Sequence, residues 1–167
     1  GQINSAVQLA DADGDTKVMV EESSDEDKIR FDTGGTERAI IDSTGLGVGE
    51  TSPDSLLHIK GNAPIFTMES NTNSTSRTWD FATERVAGGD LALRVGTSLA
   101  ATPSVTAMHF NSSGYITKPL QPAFHVDYDG NASVADANVL TYPNVILNVG
   151  SHYSTSTGKF TAPVAGN

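Results

Sequence analysis

Cysteine is absent from the 167 residues, so disulfides, thiol nucleophiles and thiolate metal centres are excluded together. Positive charge is scarce. Lys and Arg number 10 against 20 Asp and Glu, a net charge of -10 at pH 7. Gripping phosphate takes a basic face, so neither nucleic acid nor an anionic membrane surface is an expected partner. Bulky anchors are few, with 1 Trp and 6 Phe in the whole chain. A single copy with so little to bury struggles to offset the entropy of ordering its backbone. No apolar run reaches the length of a membrane span, and no membrane insertion is expected. The opening Gly1-Gln2-Ile3-Asn4-Ser5-Ala6 lacks a starting Met and the charged-then-apolar pattern of a signal peptide. A piece of a longer or processed chain is the expectation.

What the chain does hold is turn residues between short alternating runs. Lys28-Ile29-Arg30-Phe31-Asp32 alternates charged and apolar side chains with a period of two, the mark of a strand with one apolar face. Gly34-Gly35 reads as a hairpin turn into a strand at 37–42. Ser43-Thr44-Gly45 turns again into Leu46-Gly47-Val48-Gly49. Further strands are expected at 16–21, 64–69, 77–84, 91–95, 106–110, 123–128, 139–143 and 145–149, with a turn at Asp129-Gly130-Asn131-Ala132. Ser52-Pro53 predicts a short helical turn, Pro sitting where its missing N–H costs nothing, before a strand resumes over Leu56–Ile59.

The pattern predicts an all-β fold of short antiparallel strands and hairpins. It divides into a linker (1–15), a β-rich shaft module (16–61), a second β-rich shaft module (62–121) and a third region (122–167). The run Ile40-Ile41-Asp42-Ser43-Thr44-Gly45-Leu46 echoes His109-Phe110-Asn111-Ser112-Ser113-Gly114-Tyr115, and Pro53 falls opposite Pro122 at the same offset. That predicts a repeated strand–turn–strand unit, and such units stack along an axis into rods. Val18, Val20, Ile29, Phe31, Ile41, Leu57, Ile59, Phe66, Trp79, Phe81, Leu91, Leu93 and Phe110 are expected to be buried between chains, as a core that identical copies share.

Candidate chemistry is sparse. Asp11, Asp13, Asp15 and Glu22 fall at positions one, three, five and twelve of a calcium-loop spacing, and hard carboxylate oxygens suit that ion. They are the candidate metal ligands. Position six is Thr16 instead of Gly and strand-type residues follow, which suits a solvated acidic turn better than a calcium loop. His58, His109, His125 and His152 stand at no metal-binding spacing and read as packing or surface residues. There is no G-x-S-x-G elbow, and the glycines of 45–49 lack the Lys-Ser/Thr and the helix of a phosphate loop. The chain is not expected to be an enzyme or to hold a cofactor, calcium apart. Asn73-Ser74-Thr75 and Asn131-Ala132-Ser133 match the glycosylation rule, and no consequence is expected of them. Trp79 and Phe81 share a strand face, as a sugar-stacking platform or as paired core residues.

Two stretches resemble known families. Residues 16–61 contain Asp42-Ser43-Thr44-Gly45-Leu46-Gly47-Val48-Gly49 and then Pro53, Leu57-His58-Ile59. This resembles the "N-G-x-V-G-I-G-T-x-x-P" run of phage and marine-virus fibre proteins, with Thr44 in place of the first Asn and Glu50 in place of Thr. Residues 122–166 carry Phe124, Asn148-Val149-Gly150, His152-Tyr153, Thr157-Gly158-Lys159-Phe160-Thr161-Ala162-Pro163-Val164 and Gly166. These resemble the first half of a complement-type (C-one-q-like) globular head, which implies a homotrimeric jelly roll. Its next aromatic strand has no counterpart here, so an incomplete head is expected.

Together the resemblances imply a structural virion fibre or spike, partnered by other virion proteins, that projects a receptor-binding head toward a host-surface glycan or protein. The alternative is an extracellular or cell-surface adhesin or filament subunit completed by strand exchange with a neighbour. A glycan-hydrolysing tailspike is the enzyme class to weigh against both.

Overall fold

The computed structural model describes residues 8–20, 22–70, 72–128 and 139–163. The regular elements among the described residues are all β-strands, with no helix. The chain divides into two compact units, 1–64 and 65–167.

The first unit is one sheet of β1 (Gln8–Ala10), β2 (Lys17–Met19), β3 (Ile29–Thr33), β4 (Thr36–Ile41), β5 (Leu46–Val48) and β6 (Leu57–Ile59), paired in that order. Residues 8–10, expected to be linker, instead pair with β2, Leu9 opposite Val18. Gly34 and Gly35 have φ of +57° and +68°, both central positions of a two-residue turn whose twist matches the flanking strands. Asp42 Oδ1 accepts the N–H groups of Thr44 (2.8 Å) and Gly45 (3.1 Å), so a side chain closes the β4–β5 turn.

The pairings are antiparallel except the last, since β6 runs parallel to β5. The helical turn expected at Ser52-Pro53 does not form. Residues 51–56 bend back along β5, and the Leu56 carbonyl accepts the Leu46 N–H at 3.0 Å. A Cβ at Gly47 would run into the Glu50 carbonyl oxygen, and one at Gly45 into that of Ser55. This close approach of backbone to backbone is what the glycine spacing provides. Gly47→Ala is expected to destabilise the chain by about 2 kcal/mol or more, because backbone must move to admit the methyl group. Calorimetry checks it, and an unchanged melting temperature would refute the close approach.

The second unit holds a five-stranded sheet of β7 (Ile65–Met68), β8 (Trp79–Thr83), β9 (Leu91–Val95), β10 (Val105–Phe110) and β11 (Ile116–Thr117). It also holds two antiparallel pairs, β12 (Ala123–Asp127) with β13 (Asn144–Val149) and β14 (Tyr153–Ser154) with β15 (Lys159–Phe160). Asn111 Oδ1 accepts the N–H groups of Ser113 (3.0 Å) and Tyr115 (2.9 Å), so the β10–β11 turn is built on the plan of β4–β5. The correspondence ends there. β6 pairs with β5, whereas β12, after Pro122, pairs with β13.

No strand forms over 139–143. The Tyr153 hydroxyl accepts the Tyr142 N–H at 3.0 Å, and Pro143 has no N–H to give a ladder. Asn148 stands in for a strand partner, its Oδ1 accepting the Tyr153 N–H (3.0 Å) and its Nδ2 donating to the Tyr153 carbonyl (2.9 Å). Tyr153 is buried, and Phe124 stacks between it and Phe160 at 5.0 and 5.3 Å. The turn expected at 129–132, and with it Asn131, lies outside the described residues.

Candidate interaction surface

Strand register sorts the side chains of each sheet onto two faces. In the first unit one row runs Leu9, Val18, Phe31, Ala39, Val48, Ile59 across all six strands. A second runs Ile29, Ile41, Leu46, Leu57. In the second unit the rows are Phe66, Phe81, Leu93, Met108, then Met68, Trp79, Val95, Val105, and then Thr83, Leu91, Phe110, Ile116. Thr83 and the Thr33–Thr36 pair apart, one face of each sheet is apolar.

These faces stay open to solvent. Phe31 is 39% exposed, Trp79 37%, Phe81 42% and Leu9 79%. Val20, just past β2, is 50% exposed. An aromatic side chain at such exposure leaves roughly 60–100 Å² uncovered, so each face by itself offers on the order of 500 Å² of apolar surface. That reaches the upper range of a typical monomer's largest patch, the size that marks a surface another chain would cover.

The opposite faces carry charge, and the chain's own loops bury it. Arg30 is 8% exposed. The loop before β3 delivers Glu26, which binds the Arg30 guanidinium through both oxygens, and Glu37 on β4 adds a contact at 3.0 Å. In the second unit Asp80, 1% exposed, takes the Arg94 Nε (3.0 Å) and Nη2 (2.5 Å) in a two-pronged pair. Asp90 accepts the N–H groups of Arg85, Val86 and Ala87 at 3.0, 2.8 and 2.7 Å, and its Oδ2 lies 3.0 Å from His109 Nε2. Burial works to raise the Asp90 carboxyl, but those donors outweigh it and hold it below the usual carboxylate range. The charged positions of the alternating strands point away from the apolar face. Sequence alone gave no signal that loops would cover them.

The Arg30 side chain, with the Glu22 N–H (2.6 Å) next, holds the Glu26 carboxyl down at about 2 against an ordinary 4.5. A carboxylate depressed on folding stabilises the native state above its unfolded value and loses that contribution as pH falls through the folded one. Stability is therefore expected to decline as pH drops from about 4.5 toward 2. Glu26→Gln is expected to flatten that decline, as read from urea midpoints against pH. An unaltered slope would mean the contact with Arg30 is not maintained in solution.

Three of the four candidate calcium ligands come together. Carboxylate oxygens of Asp11, Asp13 and Asp15 lie within 4.8 Å of one another on an exposed loop. The Thr16 N–H holds the Asp11 carboxyl below its usual range, with burial opposing. Glu22 is not part of this group, and its Oε2 sits 3.6 Å from Arg30 Nε. The histidines do not converge among the described residues. His58 Nδ1 is 3.1 Å from Asp54 Oδ1 without hydrogen-bond geometry, His109 ties to Asp90, His152 sets its ring edge-on to Phe160 at 6.2 Å, and His125 is exposed on β12.

No protein-family model, curated protein or solved structure matches this chain.

Proposed function

We propose that this chain is a structural subunit of a homotrimeric virion fibre or spike, and that it carries a receptor-binding head for attachment to a host. The supporting observation is the open apolar face on each of two successive sheets, with the polar face already covered by loops of the same chain. A sheet needs a second layer over its apolar side. Three copies that pack each of these faces against its counterparts supply it. The recurring side-chain-capped hairpin at Asp42 and Asn111 fits a shaft assembled from related segments. The virion placement rests on the resemblance of 16–61 to viral fibre segments. The head rests on the resemblance of 122–166 to the complement-type jelly roll, and the Phe124, Tyr153 and Phe160 cluster supplies aromatic side chains such a layer would bury.

Acidity supports the same reading, since a chain of net charge -10 stays dispersed while its apolar faces are paired. Negative-stain micrographs of the purified chain test it. Closed rods of one length are expected. Open-ended polymers of varying length would overturn the closed trimer in favour of an adhesin or filament subunit joined by strand exchange.

A further inference from the structure

A cavity of about 210 Å³ opens on the polar side of the five-stranded sheet, between β7 and the loop at 100–103. Its floor is the Asp80–Arg94 pair, and Thr67, Glu69 and Thr78 line it. Thr78 is 3% exposed, and its Oγ1 is buried without a hydrogen-bond partner. A hydroxyl left this way costs folding free energy, and a turn about χ1 toward the cavity would let a bound group satisfy it. Arg94 gives only its Nε and Nη2 hydrogens to Asp80, and a guanidinium has five donors. Ala100, Ala101 and Pro103 give the opposite wall an apolar lining.

We propose that this cavity binds a single neutral polyhydroxylated ring, of the size and chemistry of one hexose residue. The ring's hydroxyls can both donate and accept, which the lining demands. Glu69 accepts, Arg94 donates, and the threonine hydroxyls do either. The apolar wall suits the C–H side of a pyranose. Arg94 neutralises Asp80, which leaves Glu69 as an uncompensated negative charge at the site and disfavours an anionic sugar. Thr67, Asp80 and Arg94 sit on the face opposite Phe66, Phe81 and Leu93, so covering the apolar face leaves the cavity open. The inference does not rest on the fibre reading, because one copy of the chain forms the whole site.

Saturation-transfer NMR on the full chain tests it, with the methyl glycosides of glucose, galactose and mannose as probes and N-acetylneuraminic acid as the anionic control. At least one neutral glycoside is expected to show saturable transfer, stronger than the control. Glu69→Gln and Thr78→Val are each expected to weaken it about tenfold, the worth of one hydrogen bond to a charged group or of one buried partner. Thr78→Ser, which keeps the hydroxyl, is expected to retain binding, and circular dichroism checks that each variant is folded. Three results would overturn the proposal: no saturable transfer from the three glycosides, preferential binding of the acid, or binding indifferent to both weakening substitutions in folded protein.

Discussion

Phe81→Asp is expected to dissociate the proposed trimer into single chains while each chain keeps its strands. Phe81 stands mid-sheet in the row Phe66, Phe81, Leu93, Met108, and it is 42% exposed in one copy. In the lone chain an aspartate there reaches water at little cost. Between copies it would be an unpaired charge in an apolar layer, which is expensive. Central aromatic anchors of interfaces lose about 2–4 kcal/mol on truncation, so the dissociation constant should rise roughly 30- to 1,000-fold. Sedimentation velocity reads the change in mass and circular dichroism the retained strands. A variant that keeps the parental mass would place the copy-to-copy contact elsewhere. Phe31→Asp should act alike in the first sheet, where Phe31 faces Val18 and Ala39.

Asp80→Ala is expected to be the most damaging change within a single chain. It strands the Arg94 guanidinium on a face the chain's own loops cover. Breaking a buried pair from one side costs about 3–5 kcal/mol. That corresponds to a fall in melting temperature of about 10 °C for a chain of this length. Replacing both partners, Asp80→Leu with Arg94→Met, should recover most of the loss, since no charge is then left alone. Lys60→Ala, which removes an exposed partner of Glu50, should cost less than Asp80→Ala, because the Ser52 N–H still binds the Glu50 carboxylate. If the single and double variants melted alike, the pair would not be shielded from water.

Much of the strand layout was legible because period-two alternation and glycine turns are local signals. Lys28–Asp32, the Gly34-Gly35 hairpin and the echo between Asp42 and Asn111 all announce themselves in a few residues. The residues expected to form a shared core could be picked out the same way, and they fall on one face of each sheet, while Met19 and Ile40 lie buried on the other face beside Arg30. What stayed hidden depends on distant partners. β1 is three residues long in polar surroundings and exists through its pairing with β2. β6 runs parallel to β5 because the chain at 51–56 bends around two glycines, which no local rule announces. Residues 139–143 alternate like a strand, yet the Tyr153 hydroxyl holds Tyr142. The covering of Arg30, Asp80 and Arg94 left no local sign, because alternation reports which side a residue takes but not what folds over it. For the same reason the unpartnered Thr78 hydroxyl left no mark in the sequence.

Sedimentation equilibrium of the intact chain tests most directly whether copies of it cover one another's apolar faces. The account predicts a mass three times the 17.5 kDa of one chain, held on dilution through the micromolar range. A stable, soluble species of 17.5 kDa at the same concentrations would contradict it.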